Sequence, residues 1–220
     1  SEIPRDLPIE GRNLKGVHFA LELLSQQNRI LEGIVIPSKD IINCKGKKVL
    51  VVGGGDTGSD CVGTANRHKA ASVTQIEIMP QPPVGHNPAT PWPLYLQVLK
   101  TSSSHEEGCI RRWNLASIRF IGDKNTLKGV EVEEIEWQPT EKEGRPEMRK
   151  TGRTEVIEAD LVFLAMGFIH PEQEGLVKEL SLTVDARGNI AVDPVTNQIA
   201  DTNLFASGDA VSGASLVVRA

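Results

Sequence analysis

The chain has 220 residues, 39% of them hydrophobic and 24% charged, which is typical of a globular protein with one large domain or a domain and part of another. Its formal net charge is -5, and Lys and Arg are scattered among Asp and Glu, so we expect no binding to nucleic acid. No apolar run approaches the roughly 20 residues that cross a bilayer, and the N-terminus lacks the pattern of a signal peptide. We therefore expect a cytoplasmic protein that does not bind membranes.

The cysteines and histidines argue against a metal centre and against a redox dithiol. Cys44, Cys61 and Cys109 are far apart in the sequence and form no CxxC pair. The five histidines show no HxxxH or HExxH spacing. We therefore expect structural thiols in a reducing compartment and no metal ligands.

The first elements in chain order are a loop, a helix and then a strand, a helix and a strand. Residues 1–13 are polar and contain prolines, which favours a loop. Apolar side chains at helical spacing predict an amphipathic helix over residues 16–29. Residues 49–52 are apolar and rich in β-branched side chains, which predicts a strand covered on both faces. Residues 59–68 and 73–78 can form the next helix and strand, which completes a βαβ unit.

A glycine-rich fingerprint occupies the first turn of this unit. Gly53 permits a tight turn out of the strand, Gly55 leaves the backbone open to a pyrophosphate, and Gly58 lets the helix pack closely on the strand. The N–H groups and the positive dipole end of the helix would face the phosphates. Strand, turn, helix and second strand agree, and they predict a dinucleotide site formed by six residues: Gly53, Gly54, Gly55, Asp56, Thr57 and Gly58.

Glu77 stands at the end of the second strand, close to the offset of about 20 residues at which an acidic side chain binds the adenosine ribose. A carboxylate there accepts hydrogen bonds from both ribose hydroxyls and repels a 2′-phosphate. We therefore predict NADH as the cofactor, with NADPH less favoured. The alternative is that Glu77 faces solvent and that Arg67 or Lys69 binds the extra phosphate of NADPH.

A proline-rich stretch over residues 80–93 follows, and it is too irregular for a strand and too rich in proline for a helix. One interpretation is a rigid loop near the cofactor. The other is a surface excursion in which Trp92 and Tyr95 pack down as hydrophobic anchors.

The rest of the chain returns to regular patterns. Residues 161–165 predict a buried strand of the parallel type. Residues 202–210 predict a short strand that ends in Gly-Asp, and residues 212–216 predict the start of a helix. Before these, alternating apolar and polar side chains predict the three strands of an antiparallel meander: residues 115–121, 128–137 and 154–158.

Together these motifs resemble the small (beta) subunit of glutamate synthase and its pyridine-nucleotide flavin oxidoreductase relatives. The resemblance is carried by residues 53–58, 165–168 and 206–209, and it extends to residues 5–8 and 76–83. The last run is similar to the NADH-type members rather than the NADPH-type members. The resemblance implies an α/β fold, in which a Rossmann-like nicotinamide-binding domain with an antiparallel β-meander is inserted in a partial FAD-binding domain.

The resemblance also implies a division into three parts. Residues 1–44 would be a remnant of the FAD domain with a connecting helix. Residues 45–165 would be the NAD(P)-binding Rossmann domain, and residues 166–220 would be a truncated C-terminal part of the FAD domain.

Three further site residues follow from the resemblance alone. Asp209, after Gly208, would hydrogen-bond the ribityl or pyrophosphate part of FAD, and the backbone of residues 213–216 would approach the flavin ring. Gly167 would lie at the crossing between the two domains. For Asp209 the alternative is a helix cap or a turn residue.

The sequence departs from the family pattern in two ways. No GxGxxG for FAD precedes Gly53, and the N-terminal cysteine motifs for iron-sulfur clusters are missing. We therefore expect a fragment that does not hold FAD alone and has no iron-sulfur cluster of its own.

The resemblance implies that the intact oxidoreductase passes a hydride from NADH to the flavin N5. Electrons then pass through iron-sulfur clusters to the glutamate synthase large subunit, which makes glutamate from glutamine and 2-oxoglutarate. No side chain of this chain needs to be catalytic, since the flavin supplies the redox chemistry. Two alternatives remain: a module that binds a dinucleotide without turnover, and a related flavoprotein with another electron acceptor. A disulfide reductase is disfavoured because no redox dithiol is present.

Overall fold

The computed structural model describes residues 3–91, 97–138 and 146–214. The chain divides into two compact units, one of Leu7–Ala165 and the other of Ser1–Asp6 with Met166–Ala220. In chain order the helices and strands are β1 (Val17–Phe19), α1 (Ala20–Leu31), β2 (Lys48–Val52), α2 (Asp56–Arg67), β3 (Ser72–Ile76), α3 (Ser103–Glu106), β4 (Ile110–Arg112), β5 (Leu115–Asp123), β6 (Thr126–Gln138), β7 (Glu147–Glu158), β8 (Leu161–Leu164), α4 (Leu176–Glu179) and α5 (Asp209–Ser212), with a 3-10 helix over Ser38–Asp40.

A parallel sheet organises the larger unit, in the strand order β1-β8-β2-β3-β4. Its central strands β2 and β8 are buried on both faces, which explains their continuous apolar sequence. Val62 on α2 and Leu23 on α1 pack in the same core as Phe163 of β8. The predicted α/β class and the βαβ unit β2-α2-β3 are confirmed.

Residues 7–44 lie in the same compact unit as residues 45–165. The reason is strand pairing, because Val17 of β1 lies opposite Val162 of β8 in parallel register. The unit ends at Ala165.

The helix predicted over residues 16–29 was wrong at its start, because Val17–Phe19 form β1 and α1 begins at Ala20. The apolar side chains of this segment fit the alternation of a strand as well as the spacing of a helix. The Glu22 carboxylate accepts a hydrogen bond from the Phe19 backbone N–H at 2.9 Å, and this contact marks the helix start.

The antiparallel meander β5-β6-β7 is confirmed, with its first turn at Lys124 and Asn125, both at positive φ. β7 is longer than predicted, because it starts at Glu147 rather than at residue 154. Most of its side chains are exposed, so the alternation that marks a half-buried strand is weak there. Residues 139–145, between β6 and β7, lie outside the described residues.

The smaller unit has few regular elements. Val177, Ile190 and Ile199 form its buried cluster. The strand predicted over residues 202–210 was wrong, since the structure shows only an isolated bridge between Gln198 and Phe205. Helix α5 begins at Asp209 rather than at residue 212, directly after the sharp turn at Gly208.

The described ranges contain neither a candidate membrane span nor a candidate metal site. No helix in them is both long and apolar enough to span a bilayer. Within the same ranges, no group of three or more His, Cys, Asp or Glu side chains could hold a metal ion.

Replacement of Phe163 by Ala should lower the free energy of unfolding by about 3–5 kcal/mol, because the side chain is fully buried and its removal leaves a cavity. Val156→Ala, at a β7 position that is 53% exposed, should cost less than about 0.5 kcal/mol. Urea titration followed by circular dichroism measures both changes. Equal midpoints for the two variants would contradict the packing described here.

Candidate functional site

The turn between β2 and α2 holds the glycine fingerprint. Gly53 has φ 121°, a backbone conformation that glycine adopts readily, and its N–H donates to the Ile76 carbonyl at 2.9 Å. Helix α2 begins at Asp56, and Gly55 before it makes no side-chain cap. The N–H groups of the first helical turn have no acceptor within the helix. They are therefore available to a ligand at the positive end of the α2 dipole.

Gly58 and Gly55 differ in the space around them. A Cβ on Gly58 would overlap the carbonyl oxygen of Gly53 and would stand 2.8 Å from Gln75 Nε2, so only glycine permits this approach of α2 to β2. A Cβ on Gly55 would meet nothing within 4 Å. Gly55 therefore borders open space, as a residue that a pyrophosphate approaches must do.

Glu77, directly after β3, binds the glycine turn itself. Its Oε2 accepts a hydrogen bond from the Gly54 N–H at 2.5 Å, and its Oε1 accepts one from the Met79 N–H at 3.2 Å. A Cβ on Gly54 would stand 2.6 Å from Glu77 Oε2. A side chain on Gly54 would therefore displace the end of the Glu77 side chain.

A second chain of hydrogen bonds joins the turn to α3. Gln75 is only 2% exposed, and its Nε2 donates to the Gly53 carbonyl at 2.8 Å. Its Oε1 lies 2.9 Å from His105 Nε2. The other ring nitrogen of His105, Nδ1, lies 3.0 Å from Ser102 Oγ and 3.2 Å from the Ser102 backbone N.

A cavity of about 490 Å³ opens beside the turn, where β2, β3 and β4 end. Open α/β sheets bind ligands at this edge, beyond the carboxyl ends of their strands. The lining residues are Gly54, Gly55, Asp56, Ser59, Glu77, Met79, Pro80, Gln81, Pro82, Pro83, Asn87, Gln97, Val98, Leu99, Lys100, Ser102, His105, Arg111 and Trp113.

The cavity carries both signs of charge. Glu77 and Asp56 line it together with Arg111, which lies 5.2 Å from the Trp113 ring centre and donates to the Lys100 carbonyl at 3.0 Å. Burial, and secondarily the Arg111 charge, lower the pKa of His105 below its ordinary value, so its imidazole is neutral at pH 7.

The two cations that the sequence offered for a 2′-phosphate do not line the cavity. Arg67 forms an ion pair with Glu107. Lys69 lies beyond the end of that helix.

The predicted site residues fall into three groups. Gly54, Gly55, Asp56 and Glu77 line the cavity, while Gly53, Thr57 and Gly58 shape the turn and the start of α2 from behind. The remaining three, Gly167, Gly208 and Asp209, belong to the smaller unit.

In the smaller unit, Gly167 has φ 83° and its carbonyl accepts a hydrogen bond from the Arg5 N–H at 2.9 Å. Gly208 has φ 66° and precedes α5, of which Asp209 is the first residue. The unit therefore presents a glycine turn with a carboxylate at the head of a short helix.

Sequence reasoning missed α3 and β4, and with them His105, Arg111 and Trp113. Elements of three or four residues are too short for a periodic pattern, and the sequence of β4, Ile-Arg-Arg, is not that of a buried strand. The spacing Ser102 to His105 is a capping signal that could have located α3. Pro80, Pro82 and Pro83 line the cavity, whereas the proposed anchors Trp92 and Tyr95 lie outside the described residues.

The thiols fit a structural role. Burial raises the pKa of Cys44 to about 11 and the pKa of Cys61 to about 12, so neither is a thiolate at neutral pH. Both lie in the same buried core, Cys61 as part of α2, and Cys109 packs against that core.

Comparison with known proteins gives consistent matches. Residues 117–220 match the family described as pyridine nucleotide-disulphide oxidoreductase. The glutamate synthase [NADPH] small chain of Mycobacterium tuberculosis is 40% identical over 98% of this chain and 44% of its own length. The glutamate synthase [NADH] of Saccharomyces cerevisiae is 38% identical over 100% of this chain and 10% of its own length.

Solved structures show the same fold. M. tuberculosis FprA in complex with NADPH matches with a TM-score of 0.67 at 16% identity, over 99% of this chain and 58% of that one. T. acidophilum thioredoxin reductase matches with a TM-score of 0.60 at 22% identity, over 96% of this chain and 55% of that one.

This chain spans less than half the length of the curated small chains that it matches. Identity of 36–40% nonetheless extends over nearly all of its residues, and it confirms the resemblance read from the sequence motifs. Over nearly its whole length this chain is similar to part of the glutamate synthase small chains, and its residues 117–220 match the pyridine nucleotide-disulphide oxidoreductase family.

Proposed function

We propose that this chain binds NADH or NADPH in the 490 Å³ cavity and delivers its hydride to FAD as part of a glutamate synthase. The observation that carries the proposal is the open Gly55 at the head of α2, beside a cavity at the carboxyl edge of the sheet. A pyrophosphate fits this place, because backbone N–H groups and the helix dipole both favour anions.

The adenosine ribose would lie at Glu77. Each carboxylate oxygen accepts one backbone hydrogen bond, and each has a further lone pair for a ribose hydroxyl. The relatives do not decide between the cofactors, because names with NADPH and with NADH occur at nearly equal identity. We propose a preference for NADH, since the fixed Glu77 carboxylate repels a 2′-phosphate.

FAD, when bound, would accept the hydride and pass electrons on singly. The smaller unit fits one part of such a site, because Gly208 and Asp209 supply a turn and a carboxylate at the head of α5. The dinucleotide fingerprint occurs once in the sequence, at Gly53 to Gly58, and the larger unit uses it for the cavity described above. The roles of Gly167, Gly208 and Asp209 toward FAD are therefore part of the proposal.

The contribution of this chain would be to bind and orient. The glycine turn would hold the pyrophosphate, Glu77 the ribose, and the proline-rich wall of the cavity would shield the bound nucleotide from water. None of these steps needs a side chain that transfers a proton, so no catalytic residue is assigned.

We propose a glutamate synthase large subunit as partner and the cytoplasm as location, with glutamine and 2-oxoglutarate as the substrates of the whole enzyme. The name "small chain" of the bacterial relatives supports a separate large chain. In the yeast relative, the matched segment is 10% of one long chain, so there the corresponding partner would be part of the same polypeptide.

The test of the whole proposal is anaerobic mixing of the FAD-loaded full-length protein with NADH or NADPH. Bleaching of the flavin absorbance within the turnover time of the enzyme is the expected result. Binding of the nucleotide without bleaching would leave only the binding module. Bleaching without glutamate formation when the large subunit is added would indicate another electron acceptor.

Gly55→Ala should weaken binding of both nucleotides at least about tenfold, because its methyl group would fill the space of the pyrophosphate. Its stability should fall by no more than about 1 kcal/mol, since the Gly55 backbone has an ordinary conformation. NADH fluorescence titration and thermal unfolding measure the two effects.

Gly58→Ala is the matched comparison. The overlap with the Gly53 carbonyl should cost about 1–3 kcal/mol of stability, which exceeds the gain of about 1 kcal/mol in helix propensity. Equal loss of stability in the two alanine variants would argue against the separate roles of these glycines.

Glu77→Gln should weaken NADH binding about tenfold, the effect of one hydrogen bond to a charged acceptor, and should leave NADPH binding unchanged or tighter. Glutamine keeps an acceptor for the Gly54 N–H, so the turn should persist. Parallel titrations with both nucleotides give the ratio of dissociation constants. A ratio that does not move would contradict the role of the Glu77 charge in cofactor choice.

A further inference from the structure

We propose that His105 is a positioning residue for the dinucleotide-binding turn, acting through Gln75 on the carbonyl of Gly53. The inference rests on the proposed function, because it assigns a role in the same site. His105 lies on α3, far from the fingerprint in sequence, and no spacing rule for dinucleotide sites includes it.

The orientation of the Gln75 amide follows from its partners. The Gly53 carbonyl can only accept, so the Gln75 atom 2.8 Å away must be the amide nitrogen. The amide oxygen therefore faces His105 Nε2 at 2.9 Å, and Nε2 must carry the proton. The tautomer of His105 is fixed by this contact.

The contacts of the other ring nitrogen, Nδ1, agree with that tautomer. Nδ1 is then unprotonated, and it accepts from the Ser102 backbone N–H at 3.2 Å and from the Ser102 hydroxyl at 3.0 Å. The Ser102 oxygen in turn accepts from the His105 backbone N–H at 3.4 Å. Every donor in this series of hydrogen bonds has an acceptor only while the imidazole is neutral. Burial lowers the pKa of His105, which favours the neutral form.

Helix α3 is in turn attached to α2, so the chain of hydrogen bonds ends on a fixed support. A Cβ on Gly63 would stand 2.6 Å from Ser104 Oγ, which shows how closely the two helices approach. The Asn66 side chain donates to the Gly108 carbonyl at 2.7 Å, and Arg67 pairs with Glu107. The glycine turn is therefore held by Gln75 of β3, Gln75 is held by His105 of α3, and α3 packs against α2.

The same contacts exclude direct binding as the main role of His105. Both ring nitrogens have partners within the protein, although the ring lines the cavity. The effect of His105 on a nucleotide should therefore pass through the direction of the Gly53 carbonyl and the N–H groups that follow it.

Two substitutions separate the contact of Nε2 from the contacts of Nδ1. His105→Gln places an amide near the former Nε2 and can keep the bond to Gln75. His105→Asn places its amide near Nδ1 and cannot reach Gln75. If His105 positions the turn, NADH should bind His105→Asn about tenfold more weakly than wild type, whereas His105→Gln should stay within about threefold.

Backbone amide exchange at Gly53 to Gly58 gives a readout that needs no nucleotide. It should accelerate in His105→Asn and stay close to wild type in His105→Gln. If His105 only stabilised the fold, both variants would have a lower unfolding midpoint, and amide exchange at the turn would not differ between them. If His105→Asn does not fold, Ser102→Ala removes one donor to Nδ1 and should produce the same changes at smaller size.

His68 offers the matched control, because it also forms a contact with a glutamine, Gln27, at 2.7 Å, at the opposite end of α2. His68→Asn should leave NADH affinity and exchange at the turn unchanged. Identical exchange in wild type and His105→Asn would overturn the proposal. If wild type binds neither NADH nor NADPH, the proposed function fails, while the exchange experiment still decides the role of His105.

Discussion

The close approach of α2 to β2 is the constraint on which the site depends. With Gly58 against the carbonyl of Gly53, no side chain can separate the helix start from the end of the strand. The Gly53 carbonyl is then covered on one side by Gly58, and it needs a donor there, since an acceptor left unsatisfied in the interior costs about 1–3 kcal/mol. The Gln75 amide is that donor, and it explains why a polar side chain near the end of β3 is only 2% exposed.

The opposite side of the turn is held by a charge instead of an amide. Glu77 accepts from the Gly54 N–H, and this fixes both the turn and the carboxylate. A carboxylate that is already held loses little further entropy when it binds a ribose, which favours affinity through preorganisation. One side chain thus has a structural and a recognition role, and either role alone would explain its position after β3.

The parts of this architecture that the sequence predicts are those with a strong local signal. The βαβ unit combines an apolar run, a glycine turn and a second strand, and the meander shows alternation over many residues. β1 was hidden because its three residues suit helical spacing as well, and it is a strand only because β8 lies beside it. His105 was hidden for a different reason. Its partner Gln75 is distant in sequence, and the value of that contact depends on the further hydrogen bond from Gln75 to the Gly53 carbonyl.

If the cavity holds NADH or NADPH as proposed, the choice between them is a competition between acidic and basic side chains, Asp56 and Glu77 against Lys100 and Arg111. Glu77 and Arg111 both line it, but Arg111 lies on β4, one strand further from the fingerprint than Glu77. Neighbouring strands are about 4.8 Å apart, and Coulomb energies fall with distance. Arg111 also donates to the Lys100 carbonyl and lies against Trp113, so it would give up contacts to reach a phosphate. Glu77 is nearer to the fingerprint than Arg111 and is already positioned, and this difference is the physical basis of the proposed preference for NADH.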